Sequence, residues 1–337
     1  LKPSPSGRGL GEGSLHKTFY TLRIFALSRW KSSAEMSTVF SKPHAHQVPS
    51  MQTYINPYTD FGFKKLFGEE ANKDILIDFL NQLLPEHHHI KDLTFRNPEQ
   101  LADLPVERNA IFDIHCEAVS GEMFIVEMQK AKVKYFKDRS LFYLTFPIRD
   151  QAQKGDWDFR LEPIYFIAIL DFEYDEEEEL RKFRRDVTLK DQDGAVFFDK
   201  LHLKFLQMPL FTKQEHELET RFDKWCYFLK NLERFDEIPQ ILNEPIFQRA
   251  FNSAKLANLT GEQRDRYEQS LLNYRDWYSI MKTALEEAVE KTERKTQHGI
   301  AQKLMTLGLD DATIATATGL NQEQIQRLRR EHDAQKP

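Results

Sequence analysis

Hydrophobic residues along the chain change their spacing several times, and each spacing predicts a different element. Between residues 72 and 84 apolar side chains recur every three or four positions, which is typical of one face of a helix, and Pro85 would end that helix. Residues 110–118 and 122–131 predict two strands joined by a three-residue loop. Because the loop ends at Gly121, which suits the left-handed position of a short hairpin turn, the two strands should be antiparallel neighbours.

Further strands and helices should follow this hairpin. Residues 137–154 predict a helix, and the apolar run at 163–172 predicts a strand that is buried on both faces inside a sheet. A second hairpin is expected over residues 187–198 and another strand over residues 201–208. The chain therefore predicts an α/β fold.

In the last third of the chain the apolar spacing is helical almost throughout. It predicts helices at residues 221–232, 244–256 and 262–295. Three short helices joined at Gly308 and Gly319 would then form a helix-turn-helix-like tail. Long amphipathic helices often pair, so a homo-oligomer held by the C-terminal helices is a further expectation.

Composition divides the chain of 337 residues into three parts. Residues 1–50 begin with a Gly, Pro and Ser bias and no apolar period, so we expect a non-native or disordered extension there. A folded core is expected at residues 51–243, and a helical region that includes the tail at residues 244–337. With 40% hydrophobic residues, the chain can bury one large core or two smaller ones.

Charge and cysteine content narrow the class of protein. A formal net charge of -6 argues against coating of nucleic acid by bulk charge, but it does not exclude a nuclease, whose site must hold metal ions with carboxylates. Two cysteines cannot build a disulfide framework, and the longest apolar runs are too short to cross a bilayer. We expect a cytoplasmic protein that does not contact a membrane.

Three polar residues of the first hairpin should converge on one patch. If the loop has three residues, Ala118 lies opposite Glu122, and the same register places Asp113 opposite Glu127. Gln129 points to the same face as Glu127, because side chains alternate along a strand. Spacing alone also fits an ordinary half-exposed hairpin whose outer face is polar.

A divalent metal ion would explain why two carboxylates face each other. Asp113 and Glu127 repel, so their pairing costs stability unless positive charge lies between them. Mg²⁺ prefers oxygen ligands and keeps several waters, and it can lower the pKa of a bound water and stabilise charge on a phosphate. Gln129 would orient that water or a phosphate oxygen. Asp113, Glu127 and Gln129 are therefore the candidate catalytic residues.

The arrangement of these residues resembles a known group of nucleases. Asp113, then Glu-Met-Gln at residues 127–129, then a helix with Arg139, Tyr143 and Gln151, resembles the PD-(D/E)XK superfamily. The resemblance implies a restriction-endonuclease-like αβββαβ core, followed here by the helical C-terminal region.

More narrowly, the chain resembles the Rpn family of recombination-promoting nucleases and transposases. Segments similar to that family stand at residues 56–68, 79–84, 163–170 and 223–232, and the resemblance extends over about residues 51–330. It implies a Mg²⁺-dependent DNA endonuclease that hydrolyses phosphodiester bonds and promotes DNA recombination or the transposition of mobile elements.

The resemblance also implies roles beyond the hairpin, with one departure. The superfamily usually has a lysine where this chain has Gln129, and Lys130 should point to the opposite face. Lys64 is a candidate for the missing charge and for substrate binding, although a surface position at a helix start fits it equally. Asp60, preferred over Glu69, could complete the metal shell.

Arg139 and Gln151 are the other candidates for substrate binding. They lie twelve residues apart on one predicted helix, so they share roughly one face and could contact phosphate. A structural role in holding the helix to the sheet fits them equally well.

Two readings of the whole chain stay open at this point. The first is the metal-dependent DNA endonuclease. The alternative is a catalytically inactive DNA-binding or oligomerisation protein derived from a nuclease, in which the helical second half dominates.

Overall fold

The structure of the protein is a computed structural model, and it describes residues 52–100, 110–132, 134–152, 158–174 and 181–334. The extension proposed for residues 1–50 lies outside these residues. The described chain forms two compact units, one that ends at Tyr274 and one that begins at Arg275. The domain boundary proposed at residue 243 stays a prediction.

The larger unit is built on a mixed β-sheet. In chain order the described strands are β1 (Leu93–Phe95), β2 (Glu99–Gln100), β3 (Ala110–Ile111), β4 (Ile114–Ala118), β5 (Met123–Gln129), β6 (Ile164–Leu170), β7 (Arg184–Lys190) and β8 (Val196–Gln207). Six of them form one sheet in the order β1-β4-β5-β6-β8-β7, and β2 pairs only with β3. Strands β5, β6 and β8 run parallel, whereas the other neighbours are antiparallel.

Eight α-helices occur in the described part of the chain. They are α1 (Asp60–Phe67), α2 (Lys73–Asn81), α3 (Phe136–Asp150), α4 (Arg221–Asn231), α5 (Pro245–Ala254), α6 (Gly261–Thr306), α7 (Asp311–Thr318) and α8 (Gln322–Ala334). Helices and strands together confirm the expectation of a mixed α/β protein.

Strand β6 lies in the middle of the sheet because both of its faces are apolar. Ile167 and Ile169 point into a core that also holds Phe79 of α2 and Trp225 of α4. Phe166 and its alternate neighbours point instead into a second core, against α3. All seven residues of β6 are buried, with a parallel neighbour on each side, as the sequence predicts for an internal strand.

The first hairpin forms with the predicted register. The N–H of Ala118 donates to the carbonyl of Glu122 at 2.8 Å, and Gly121 has a φ of 104°. Pairing of Ile114 with Val126 continues that register toward the open end of the hairpin. The loop length and its glycine therefore set which residues face each other.

The expectation of one continuous strand over residues 110–118 is wrong. Ladder pairing stops before Ile114, and Ala110 and Ile111 pair instead with β2. The N–H of Phe112 donates to the carbonyl of Pro98, so the chain turns away from the main sheet here. Asp113 stands in the resulting break, where its side chain is free to bond the neighbouring strand.

Two other predicted elements differ in length. Residues 196–207 form the single strand β8 in place of the predicted hairpin strand and separate strand at 201–208, and its pairing with β7 is irregular between Thr188 and Lys190. Helix α3 begins at Phe136 and ends at Asp150. The end predicted at residue 154 lies outside the described residues.

Helix α6 is one helix of 46 residues, whereas the sequence predicts a break after residue 295. Gly299 lies inside it, since a helix tolerates an isolated glycine at a cost of about 1 kcal/mol. Short helices do follow, with Gly308 and Gly319 both at positive φ. The helix-turn-helix character of the tail stays a prediction.

Two further properties bear on the class of protein. Both cysteines are buried and free of disulfides. Within the described chain, none of the helices combines the length and apolarity needed to cross a membrane.

Candidate active site

The site lies at the open end of the first hairpin, where Asp113 and Glu127 meet. The N–H of Asp113 donates to Oε1 of Glu127 at 3.2 Å, and the N–H of Met128 donates to Oδ2 of Asp113 at 2.7 Å. The second of these bonds takes the place of the ladder bond that Met128 would donate to Phe112 if β4 extended that far. The predicted pairing of the two carboxylates therefore holds, although Asp113 is one residue outside the strand.

Gln129 joins the pair from the same face of β5. Its Nε2 donates to Oε2 of Glu127 at 2.9 Å, which leaves the side-chain oxygen Oε1 to accept from another group. Only 2% of the surface of Glu127 is exposed. The structure thus brings together the three residues that the hairpin geometry predicts.

Burial and mutual repulsion dominate the electrostatics of the carboxylate pair. Burial, reinforced by the charge of Asp113, raises the pKa of Glu127 to about 8, against the opposing effects of the Asp113 N–H, Gln129 and Arg139. Burial also raises the pKa of Asp113, which the Met128 N–H and the charge of Lys64 partly offset. The pair is short of positive charge and would be stabilised by a cation.

Helix α1 supplies two charges at one side of the site. Thr59 caps the helix by accepting the N–H of Gly62, so Asp60 and Lys64 fall one turn apart and form an ion pair of 2.8 Å. Both charges influence the pKa of Asp113. Among the described residues, however, no group of three His, Cys, Asp or Glu side chains converges as a metal site.

Arg139 approaches the site from helix α3. Its Nε donates to the hydroxyl of Tyr143 at 3.0 Å, and its guanidinium lies 4.9 Å from the centre of the Tyr143 ring. The positive charge of Arg139 lowers the pKa of Glu127. Tyr143 therefore holds Arg139 in place, with its charge close enough to act on Glu127, and the assignment of Arg139 to phosphate binding stays a prediction.

Gln151 lies at the other end of the sheet. Its Oε1 accepts the N–H of Glu162 at 2.6 Å, and its Nε2 lies 3.8 Å from Sδ of Met123. Met123 begins β5 and Gln129 ends it, so roughly 20 Å separates this position from the catalytic candidates. The structure does not bring Gln151 to the site, and its contacts join the end of α3 to the segment before β6.

Three residues beside the site were given no role from the sequence. Lys130 lies with its Nζ 5.7 Å from the centre of the Tyr274 ring, on the face away from Gln129, as the alternation predicts. Because β5 ends there, the charges of Asp113 and Asp60 still act on its ammonium group. Tyr274 in turn donates its hydroxyl to Asp171 at 3.1 Å.

Asp171 could have been found from its position in the sequence. It directly follows buried β6, and its N–H donates to the carbonyl of Gln129 at 2.9 Å. Carboxyl ends of adjacent parallel strands meet at one edge of a sheet, where ligand sites are common in open α/β folds. A polar residue immediately after such a strand is therefore a signal for proximity to the site.

Comparison with protein-family models assigns the chain to a known family. Residues 57–284 match the family model of the PD-(D/E)XK nuclease family transposases, a range that holds both carboxylates, Gln129 and helix α3. Searches of curated proteins and of solved structures gave no match. The mixed sheet with its helices is consistent with the fold of that family. Since more than half of the chain matches, the protein belongs to the PD-(D/E)XK nuclease family transposases.

Proposed function

We propose that this protein is a divalent-metal-dependent DNA endonuclease that promotes DNA recombination or the transposition of mobile elements. Family membership supports a nuclease- or transposase-like role. The observation that carries the proposal is the buried pair of Asp113 and Glu127, joined through Gln129 to the end of a central strand. Such a pair is expensive to keep without a catalytic use.

The donor set fits Mg²⁺ or another hard divalent cation. Asp113 and Glu127 would hold the ion through carboxylate oxygens, and its charge would offset the burial and mutual repulsion that raise the pKa of both groups. When bound, such an ion lowers the pKa of a water and stabilises charge on a phosphate. Asp60, already paired with Lys64, contributes negative charge beside the site rather than a third oxygen ligand.

The protein's own side chains would position DNA and water. The side-chain oxygen Oε1 of Gln129 can accept a hydrogen bond from the attacking water, while the side-chain nitrogen Nε2 keeps its bond to Glu127. Arg139 would bind a phosphate oxygen with its guanidinium. Positive charge that Gln129 cannot supply would come from Lys130 and Lys64, both of which already act on Asp113.

The test replaces the carboxylates by their amides. D113N and E127Q should each reduce Mg²⁺-dependent nicking of plasmid DNA by about 100-fold or more, because they remove charge stabilisation at the reacting phosphate. Titration calorimetry with Mn²⁺ should show weakened metal binding by both variants.

Q151A is the control, since Gln151 caps the helix that carries Arg139 but lies far from the carboxylates, and it should cut like the wild type. Undiminished nicking by folded D113N and E127Q would refute the site. DNA binding without cutting under Mg²⁺ and Mn²⁺ would instead favour the inactive DNA-binding or oligomerisation protein.

A further inference from the structure

Tyr135 adopts a backbone conformation that L-residues rarely use. Among the described non-glycine residues, only Tyr135 and Phe159 have positive φ, and both values are 63°. A side chain in this left-handed region strains the backbone, so the surrounding structure must hold it there. Tyr135 also stands directly before helix α3.

The strained turn sends two successive aromatic rings in different directions. Phe136 is buried against Phe172 and Phe205 in the second core. Tyr135 is 66% exposed, and Nζ of Lys134 lies 4.9 Å from the centre of its ring. Core packing explains the position of Phe136 but gives no reason for a large ring at residue 135.

Tyr135 stands at the same end of helix α3 as Arg139. Its carbonyl accepts the N–H of Arg139 at 3.0 Å, which places the two residues one helical turn apart. The charge of Arg139 reaches Glu127. An aromatic face is thus presented to solvent close to the residues proposed to bind the reacting phosphate.

The sequence around Tyr135 is rich in positive charge, which favours binding to the phosphates of nucleic acid. The ten residues from Lys130 to Arg139 contain one acid, Asp138, and five basic residues, which are Lys130, Lys132, Lys134, Lys137 and Arg139. The whole chain, by contrast, has a formal net charge of -6. Local positive charge with an exposed aromatic ring is the combination that binds unpaired strands, through phosphates and stacked bases.

We infer that Tyr135 and Lys134 form a stacking site for an unpaired base next to the phosphate that is cut. The enzyme would then prefer DNA with an unpaired nucleotide, such as a single strand, a gap or a flap, over intact duplex, which it would cut more slowly. This inference rests on the proposed function for the cutting step, but binding of the base requires neither metal nor cutting.

The experiment uses the full-length protein in EDTA and measures binding by fluorescence anisotropy to a labelled single-stranded oligonucleotide and to its duplex. Y135G should lose about tenfold in affinity for the single strand and less than twofold for the duplex. It should also melt about 2–4 °C higher than the wild type, because glycine adopts positive φ without strain. Y135F keeps the ring and should bind the single strand within about twofold of the wild type.

Phe159 provides the matched control, because it shares the φ of 63° and is 78% exposed. It precedes the first residue of β6, whereas the carboxylate site lies beside the last residue of that strand. F159G should also gain thermal stability while binding both oligonucleotides like the wild type. Unchanged single-strand affinity of Y135G, or an equal loss on single strand and duplex, would overturn the stacking site. Plasmid nicking by the wild type with Mg²⁺, measured in parallel, separates this result from the proposed function, since binding of the single strand in EDTA does not depend on cutting.

Discussion

Lys130 is the residue whose position most alters the chemistry expected of the site. Gln129 occupies the place of the usual lysine and carries no charge. Burial lowers the pKa of Lys130, and the nearby charges of Asp60 and Asp113 oppose that effect. Lys130 directly follows β5 and points away from Gln129, but its positive charge can still act on the carboxylates.

Removal of the Lys130 ammonium should slow cutting without unfolding the protein. K130A should lower kcat for nicking by about 100-fold, and K130R should restore most of it because the charge is kept. K65A is the control, since Lys65 lies on α1 but pairs with Glu69. Nicking by K130A at the wild-type rate would show that Lys130 supplies no essential charge.

The three residues at the centre of the candidate site could be predicted from the sequence, but the positions of the residues around it could not. Asp113, Glu127 and Gln129 follow from a loop of known length and from the alternation of side chains, which are local rules. Whether the charge of Lys130 acts on the carboxylates depends on where β5 ends. How far Gln151 lies from the carboxylates depends on where α3 packs against the sheet. Both are tertiary properties that spacing along the chain does not contain.

At the scale of elements, the bond from Tyr274 to Asp171 ties the first part of α6 to the edge of the sheet. Asp171 follows β6 and lies largely out of solvent. Burial raises its pKa from 3.8 to about 6, against the hydrogen bond from Tyr274 and the charge of Lys230. In the folded protein the carboxyl group therefore keeps its proton over a pH range in which the unfolded chain releases it.

This difference predicts a pH-dependent loss of stability. Between about pH 4 and 6 the folded state binds more protons than the unfolded state, so the free energy of unfolding falls as pH rises and then levels off above pH 6. D171N cannot ionise but can still accept from Tyr274, so it should be more stable than the wild type by up to about 3 kcal/mol at pH 7.

Urea unfolding of both proteins at pH 4, 5, 6 and 7 measures the effect as a difference, which cancels the contribution of other titrating groups. The gap between D171N and the wild type should widen up to pH 6. A constant gap across this range would contradict the raised pKa of Asp171.

Elements with a clear period were predicted well, and the exceptions have physical causes. Strand β6 and the first hairpin follow from continuous and alternating apolar patterns. The break at Asp113 was missed because a carboxylate stands in for main-chain ladder bonds. The continuity of α6 through Gly299 was missed because one glycine costs little in a helix of 46 residues.

At the scale of the whole molecule, the second unit has a hydrophobic cluster of its own. It consists of Ala301, Met305, Ile314, Leu320, Ile325 and Leu328. Arg329 bonds Asp311 and the carbonyl of Leu309, so this arginine holds the tail together. The expected pairing of C-terminal helices into a homo-oligomer stays a prediction.

A core this small should fail when one large side chain is removed. I325A deletes a fully buried side chain and should cost about 2–4 kcal/mol, enough to unfold residues 311–334. Hydrogen exchange followed by mass spectrometry should show fast exchange there, with unchanged protection in β5 and β6 and unchanged nicking. F251A, in the large core, is the control that should weaken protection of the sheet. Loss of nicking by I325A would show that cutting depends on the tail.

The burial of Glu127 also affects which substitutions should accumulate in copies of such a gene that are no longer under selection for cutting. A buried, repelled carboxylate lowers the stability of the protein, so substitution by glutamine or an apolar residue would stabilise a chain that no longer needs to cut. Drift in a silent copy should therefore remove this glutamate early, together with Asp113. Retention of both acids is the mark by which a copy still under selection for cutting can be told from a decaying one.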